Sequence, residues 1–172
     1  MAEAIYEYGK ELLKKDNTLV LKRITGMLPD YYTFNIEHLK NIVSECNLFN
    51  FDDITYSINS KEYIKNDFMK WHIDDALLLN RKNLNNYKNI IDINYKNKHM
   101  IYKYENQKPI YSLLIYENDY GKDFNGGELE FADGFTYKPK RGSYIMFDSS
   151  EVHRVLPIKS GTRFSKLIKF YN

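Results

Sequence analysis

The sequence is poor in the residues that stabilise small secreted or metal-caged domains. Its 172 residues include one cysteine, so an intramolecular disulfide, a cysteine zinc cage and a redox pair of thiols are all excluded. We expect this cysteine, Cys46, to be a small buried apolar residue. The chain also lacks an excess of either charge, because 25 Lys and Arg oppose 23 Asp and Glu for a formal net charge of +2. Non-specific binding of nucleic acid needs a strong basic excess, so we do not expect a nucleic-acid partner.

Long hydrophobic runs are missing as well. Near the N-terminus, Glu3, Glu7 and Glu11 interrupt every apolar run, so neither a signal peptide nor a transmembrane span is predicted. We therefore expect a cytoplasmic protein without a membrane partner. The chain is long enough for one hydrophobic core and too short for two ordinary domains, so residues 1–172 are predicted to form a single domain. The sequence does not indicate an oligomeric state.

The first part of the chain has mainly helical periodicity. Apolar residues within 3–15 have a roughly helical spacing, and Thr18–Ile24 has the composition of a strand. After Pro29, apolar residues repeat at intervals of three and four from Ile36 onward, which predicts an amphipathic helix that ends near Asn47.

From about Phe51 onward, short segments rich in Tyr, Ile, Phe and Thr alternate with Asn, Gly and Asp, a pattern typical of antiparallel β-structure. Between Asp75 and Pro109 the chain is rich in Lys and Asn, with one apolar island at Ile90–Ile93. We expect a mobile lid or an insertion there rather than a packed pair of strands. The clearest predicted strands are Ser112–Tyr116, Glu128–Phe131, Ser143–Phe147 and Arg163–Phe170.

Two of the four histidines suggest a metal site. His72 is followed by Asp74, and residues i and i+2 of a strand project from the same face. His153 comes shortly after a strongly apolar strand. Two imidazoles and one carboxylate on one face of an iron leave three positions open, which is the arrangement of non-haem Fe(II) oxygenases. His38 and His99 have no such context, and we expect them to be solvated.

The segment after His153 contains a second candidate feature. Arg163 follows ten residues later, and Ser165 shares its face of the predicted strand. A guanidinium can hold a carboxylate through two hydrogen bonds, and a nearby hydroxyl can add a third. An organic diacid between Arg163 and the metal would explain both residues. The alternative for Arg163 alone is a surface arginine on an edge strand.

Further segments occur in order with these residues: Tyr63, Ser112–Asn118, Gly126–Phe131 and Pro139–Phe147. Together with His72-x-Asp74 and His153 to Arg163, they resemble the Fe(II)/2-oxoglutarate-dependent dioxygenases, and among these the prolyl 4-hydroxylase-like branch. The resemblance covers roughly residues 60–170, and the order and spacing of its motifs make it specific.

The resemblance implies a role for each matching residue. His72, Asp74 and His153 would bind Fe(II), and Arg163 would pair with the distal carboxylate of 2-oxoglutarate. The expected cofactors are thus Fe(II), 2-oxoglutarate and O2, with ascorbate as a candidate reductant.

Two tyrosines match family positions around the same cosubstrate. Tyr116 would reach the distal carboxylate together with Ser165, and Tyr63 would lie near the end of 2-oxoglutarate that chelates iron. The glycine that often follows this tyrosine in the family is Asn66 here. In a chain with 16 tyrosines, the alternative for either is an aromatic side chain that fills the barrel wall.

The fold that the resemblance implies is mainly β within an α+β chain: a double-stranded β-helix, or cupin-like jelly roll, of eight short strands. Residues 1–50 would supply helices that pack along one sheet, and about 51–172 would form the jelly-roll core. Gly126-Gly127 precedes a strand, so we predict a hairpin turn there rather than a phosphate-binding loop. Trp71 is predicted to point away from the metal into the core.

The activity implied is hydroxylation of an unactivated C–H bond with release of succinate and CO2, most simply 4-hydroxylation of peptidyl proline. A free amino acid or another small molecule is the alternative substrate. Arg163 stands where collagen-type prolyl 4-hydroxylases commonly have lysine, and Lys169 stands where AlkB-type demethylases have a second arginine, which argues against base repair. A non-catalytic jelly roll, or a cupin-like metal site without 2-oxoglutarate, are the remaining alternatives.

Overall fold

The computed structural model describes residues 6, 7, 10, 23–29, 34–74, 76–79, 91–95, 98–102 and 109–171, of which 76–79, 91–95 and 98–102 are described as backbone only. The α-helix is α1 (Ile36–Cys46), and a 3-10 helix spans Phe51–Asp53. The strands are β1 (Ile24–Met27), β2 (Thr55–Tyr63), β3 (Met69–His72), β4 (Ala76–Leu79), β5 (Ile91–Tyr95), β6 (Lys98–Tyr102), β7 (Pro109–Tyr116), β8 (Phe124–Gly126), β9 (Leu129–Phe131), β10 (Thr136–Tyr137), β11 (Ser143–Asp148), β12 (His153–Val155), β13 (Ile158–Gly161) and β14 (Arg163–Tyr171).

Helix α1 has the boundaries that its sequence predicts. The Asn35 side chain caps the first turn by accepting the backbone N–H of His38 at 3.0 Å. The helix ends where Asn47 takes the left-handed conformation, with a φ of 53°. Its buried face includes Cys46, as predicted, and packs against one face of a five-stranded antiparallel sheet with the order β1-β11-β7-β14-β2.

The other face of this sheet packs against a four-stranded sheet with the order β10-β9-β12-β3. Side chains of a strand alternate between its two faces. On β14, Ile168 and Phe170 therefore contact the α1 side, whereas Leu167 faces the core between the two sheets. The mainly β jelly-roll prediction is confirmed, and each of the four clearest predicted strands overlaps an observed one. This two-sheet core is the frame on which the polar residues converge.

The Lys/Asn-rich stretch differs from its prediction. Strands β4 and β5 both pair with β6 in an antiparallel three-stranded sheet, so the expectation of a stretch without packed strands is wrong. The paired strands are of mixed composition, and β5 includes residues 91–93 of the predicted apolar island. Cross-strand pairing satisfies their backbone groups even though their periodicity is weak. A role as a lid or an insertion stays a prediction.

The Gly126-Gly127 step also differs from its prediction. β8 pairs with β13, whereas β9 pairs with β10 and β12, so the two glycines connect strands of different sheets instead of turning a hairpin. Both have positive φ, 75° and 68°, a conformation that glycine adopts at little cost. These φ angles, and the close contacts that an added Cβ would make, explain why both positions are glycine.

Part of the N-terminal prediction lies outside the described residues. Within the predicted helix at residues 3–15, Tyr6, Glu7 and Lys10 are described and are helical. Residues 18–22 of the predicted first strand are not described, and β1 begins at Ile24. No helix in the described ranges is long and apolar enough to span a membrane.

Candidate active site

Two histidines from neighbouring strands lie side by side between the sheets. β3 ends at His72, β12 begins at His153, and the antiparallel register places these two residues directly opposite each other. Directly opposed residues of neighbouring strands project from the same face of the sheet. The two ring centroids are accordingly 4.2 Å apart.

Asp74 lies in a turn just after β3 and completes the cluster. Its Oδ1 is 3.6 Å from Nε2 of His72 and 3.3 Å from Nε2 of His153. One ligand atom from each residue lies within 4.8 Å of the other two. The structure thus brings together the three residues that the sequence singled out, although the strand itself ends before the carboxylate. We call these residues the His–Asp–His triad.

The backbone fixes the tautomer of both imidazoles. Nδ1 of His72 lies 2.6 Å from the carbonyl oxygen of Lys70, and Nδ1 of His153 lies 2.8 Å from that of Glu151. A carbonyl oxygen can only accept a hydrogen bond, so each Nδ1 carries the proton and donates it. The lone pair of each neutral ring is then on Nε2, the atom that faces Asp74. This is the tautomer that binding of a metal through Nε2 requires.

Burial and mutual contact set the charges of the triad. Burial opposes ionisation of Asp74, but the neighbouring His153 and its hydrogen bonds hold the pKa of this carboxyl well below its usual range. Burial lowers the pKa of His72, and the adjacent His153 lowers it further. Burial also opposes the charged form of His153, but the Asp74 carboxylate outweighs it and raises the pKa of this ring. An ionised carboxylate beside a neutral imidazole suits a divalent cation.

The triad opens into a cavity of about 310 Å³ between the two sheets. Arg163 lines the same cavity, so the triad and this arginine face one space. Lys61 and Lys169 add cationic side chains to its lining. Its apolar walls are formed by Ile73, Leu114, Leu129, Phe147, Val155 and Leu167.

Arg163 is a buried cation, with 1% of its surface exposed. Its Nη1 donates a hydrogen bond to the carbonyl oxygen of Gly127 at 3.1 Å, and its Nε has no partner among the described residues. The guanidinium carbon lies 4.3 Å from the ring centroid of Tyr63 and 5.3 Å from that of Tyr116. No carboxylate in the described part of the chain pairs with it. Burying a charge without an anionic partner is energetically costly, so this guanidinium is suited to bind an anion.

Two more buried polar groups beside Arg163 lack partners within the described ranges. These are the hydroxyl groups of Tyr116 and Ser165, which belong to directly opposed residues of β7 and β14. Burial raises the pKa of Tyr116 to about 12, so its hydroxyl keeps its proton and can donate it. We call Tyr116, Arg163 and Ser165 the arginine pocket. Its unpartnered donors fit the oxygens of a carboxylate.

Tyr63 lines the same cavity and contacts Arg163. It is directly opposed to Arg163 in the register of β2 and β14, and its hydroxyl donates to Sδ of Met69 at 3.5 Å. Burial raises its pKa. The contact with Arg163 places Tyr63 beside the arginine pocket, and a role at the chelating end of 2-oxoglutarate stays a prediction. Asn66, which stands where a glycine was expected, has a φ of 75°.

Sequence reasoning missed the hydroxyl group that touches the triad from the other side. Ser112 donates a hydrogen bond to Oδ2 of Asp74, and its oxygen lies 3.0 Å from that of Ser149. Strand parity was the available signal, since Ser112 shares a face of β7 with Leu114 and Tyr116.

Trp71 and His38 do not line the cavity that holds the triad. Trp71 stacks on Tyr6 at 4.4 Å between centroids and packs outside the cavity, as predicted. His38 is on α1, and His99 is on β6, where side chains are not described.

Comparison with known proteins places this geometry in a family. Residues 58–171 match the family model described as the 2OG-Fe(II) oxygenase superfamily. A 65-residue segment, 35% of the chain, is 37% identical to 2-oxoglutarate and iron-dependent oxygenase domain-containing protein 3 of Xenopus tropicalis. A 45-residue segment, 24% of the chain, is 53% identical to a PKHD-type hydroxylase of Acaryochloris marina. Each match spans only 20% of the length of that relative.

Solved structures share the fold. The 2-oxoglutarate complex of a viral collagen prolyl hydroxylase from Paramecium bursaria Chlorella virus-1 superposes with a TM-score of 0.53, 16% identity, and coverage of 99% of this chain and 90% of that one. A prolyl 4-hydroxylase of Pseudomonas putida superposes with a TM-score of 0.50, 16% identity, and coverage of 100% and 88%. The family model covers well over half of the sequence and includes the triad and the arginine pocket. The chain belongs to the 2OG-Fe(II) oxygenase superfamily, whose members use Fe(II), 2-oxoglutarate and O2.

Proposed function

We propose that this chain is an Fe(II)- and 2-oxoglutarate-dependent dioxygenase that hydroxylates an unactivated C–H bond. One observation supports the proposal best: the His–Asp–His triad and a buried arginine without a carboxylate partner among the described residues line the same cavity. A metal site and a carboxylate site facing one space suit a diacid that binds the metal at one end.

In this proposal His72 and His153 bind Fe(II) through Nε2, and Asp74 binds it through Oδ1. Two imidazole nitrogens and one carboxylate oxygen form a donor set that suits Fe(II) and leaves positions open. The hydrogen bonds from each Nδ1 to the backbone hold both rings with Nε2 near Oδ1 of Asp74.

The arginine pocket would bind the distal carboxylate of 2-oxoglutarate. The guanidinium of Arg163 supplies the charge and a fixed fork of donors, and the hydroxyl groups of Tyr116 and Ser165 supply further hydrogen bonds. Binding would satisfy three buried groups that have no partner in the described part of the chain, namely Arg163 Nε, Tyr116 Oη and Ser165 Oγ.

Bound iron, with 2-oxoglutarate and O2, supplies the oxidation of the substrate C–H bond and the release of succinate and CO2. The chain contributes the orientation of its ligand atoms and the exclusion of water. Leu114, Leu129 and Phe147 wall the cavity with apolar surface. Displacement of water from this space by substrate would strengthen the electrostatic contacts inside it.

For the substrate we propose a prolyl residue within a peptide, hydroxylated at C4. The support is the likeness of the fold to two enzymes described as prolyl hydroxylases, together with the match to a PKHD-type hydroxylase. Ascorbate, as a reductant that keeps the iron in the Fe(II) state, is part of the same proposal.

The site is tested by anaerobic titration of the metal-free protein with Fe(II) and then with 2-oxoglutarate. We expect the weak visible charge-transfer band of a keto acid chelated to iron. The band should be absent in His72→Ala, weaker in Arg163→Ala, and unchanged in His38→Ala, because His38 lies on α1 outside the cavity. Absence of the band in the unsubstituted protein would overturn the 2-oxoglutarate assignment.

The substrate is tested separately, by succinate release and mass spectrometry on proline-containing peptides and on free amino acids. We expect a gain of one oxygen atom on a peptidyl proline. Oxidation of a free amino acid without oxidation of any peptide would overturn the peptide assignment and leave the dioxygenase assignment standing.

A further inference from the structure

Asp74 is held from both sides by different partners. Its Oδ1 faces the two histidines, whereas its Oδ2 accepts a hydrogen bond from the hydroxyl of Ser112. A carboxylate without the second contact could rotate and offer both oxygens to a metal. The contact with Ser112 therefore fixes which oxygen faces the metal position.

A second serine supports the first. The Ser112 and Ser149 oxygens are 3.0 Å apart, and both residues have no exposed surface. Because a carboxylate can only accept, the proton of Ser112 is committed to Asp74, and Ser149 must donate to Ser112. The hydrogen bonds thus run in one direction, from Ser149 through Ser112 to Asp74, and such chains polarise one another.

Both serines are anchored to the sheet that carries the arginine pocket. Ser112 lies within β7, directly opposed to Phe147 of β11. Ser149 follows β11 directly, and its backbone N–H donates to the carbonyl oxygen of Ile110 at 3.1 Å. The triad residues instead belong to β3, its following turn, and β12 of the other sheet. The contact of Ser112 with Asp74 is therefore a polar link between the two sheets at the triad.

We propose that Ser112, supported by Ser149, is a positioning residue that makes Asp74 a one-oxygen ligand and so preserves the open positions at the metal. The inference rests on the iron site proposed above and concerns two residues to which the family resemblance assigned no role. Partners of this type commonly change metal affinity by 10- to 100-fold (order of magnitude) when they are removed.

The test uses Co(II) as a spectroscopic probe on the full chain without 2-oxoglutarate. For Ser112→Ala we expect metal affinity to fall about tenfold, with a changed visible absorption spectrum, because Asp74 becomes free to bind through both oxygens. Ser149→Ala should shift both readouts in the same direction by less. The matched control is Ser143→Ala, which removes another buried serine hydroxyl that accepts the N–H of Lys140 at 3.0 Å, and it should leave both readouts unchanged.

The outcomes separate this inference from the proposed function. An unchanged affinity and spectrum in Ser112→Ala, with a normal metal response in the unsubstituted protein, would overturn the positioning role alone. Failure of the unsubstituted protein to bind any divalent metal would overturn the iron site, and the inference with it. If Ser112→Ala does not fold, Ser149→Ala decides, because unchanged readouts in that variant overturn the inference.

Discussion

The carbonyl oxygen of Gly127 accepts a hydrogen bond from Nη1 of Arg163 at 3.1 Å, and this is the one hydrogen bond described for that guanidinium. Gly127 belongs to the step between two sheets, so the arginine is oriented by the point where the chain changes sheet. The backbone at the crossing and the arginine pocket are therefore structurally coupled.

The first prediction concerns that coupling. An alanine Cβ at Gly127 would meet Cδ1 of Ile158 at 2.3 Å and would sit at a φ of 68°, so Gly127→Ala should shift the carbonyl that holds Arg163. We expect a several-fold loss of 2-oxoglutarate affinity, measured by calorimetry on the Fe(II) or Mn(II) form.

Gly121→Ala is the matched control, because Gly121 also has a positive φ, 83°, but its added Cβ meets nothing within 4 Å. The control should lose about 1–2 kcal/mol of unfolding free energy without loss of affinity, and an equal affinity loss in both variants would disprove the coupling.

The second prediction separates the charge of Arg163 from its shape. Arg163→Lys keeps the positive charge but removes the planar fork and its hydrogen bond to Gly127. We expect the KM for 2-oxoglutarate to rise by about tenfold or more, with metal affinity unchanged. Arg154→Lys is the control, since Arg154 pairs with Glu130 on a partly exposed surface, where such pairs contribute little. A KM for 2-oxoglutarate in Arg163→Lys equal to that of the unsubstituted protein would show that charge alone suffices.

The third prediction contrasts the hydroxyl groups of two buried tyrosines. The Tyr116 hydroxyl has no partner among the described residues, so Tyr116→Phe should not lower the unfolding free energy of the ligand-free protein, and should raise it by up to about 1 kcal/mol. The same change should weaken 2-oxoglutarate binding by about tenfold, because a donor to a carboxylate is lost. Tyr144→Phe should lower the unfolding free energy by about 1 kcal/mol, because the hydrogen bond to Glu45 is lost, and should leave the affinity for 2-oxoglutarate unchanged. Chemical denaturation and calorimetry on both variants provide the check. A lower unfolding free energy in Tyr116→Phe would contradict the prediction that this hydroxyl makes no stabilising hydrogen bond in the ligand-free protein.

The fourth prediction concerns Cys46. Burial, and to a smaller extent Glu45, raise the pKa of its thiol from 9.0 to about 11. At pH 8 the thiolate fraction is then about a hundredfold below that of an ordinary thiol, so Ellman's reagent should react about a hundredfold more slowly with native than with unfolded protein. Rapid labelling of the native protein would contradict this.

The same shift in pKa predicts a loss of stability in alkali. The unfolded thiol ionises first as the pH rises, so its contribution to stability is complete below pH 9.0 and is lost as the pH rises towards about 11. Denaturant titrations of the unsubstituted protein and Cys46→Ala measure this, and the difference between them should shrink across that interval. A difference that stays constant with pH would exclude a raised pKa.

Local patterns predicted the parts of this protein that depend on neighbouring residues. The apolar repeat from Ile36 predicts α1, because a helix is defined by contacts three and four residues apart. Arg163 and Ser165 could be paired from sequence because strand parity is equally local. The same spacing singled out His72 and Asp74, although Asp74 lies in a turn beyond the end of β3.

Pairings between distant segments could not be predicted in the same way. The sequence does not state that Gly126-Gly127 changes sheet, that β4 and β5 pair with β6, or that Ser112 lies against Asp74. These contacts depend on register and packing, which are decided by many weak interactions across the whole core. The sequence by itself therefore determined the chemical groups of the site and their local faces, whereas only the tertiary structure decided which of those groups meet, because strand register is a property of the assembled sheets.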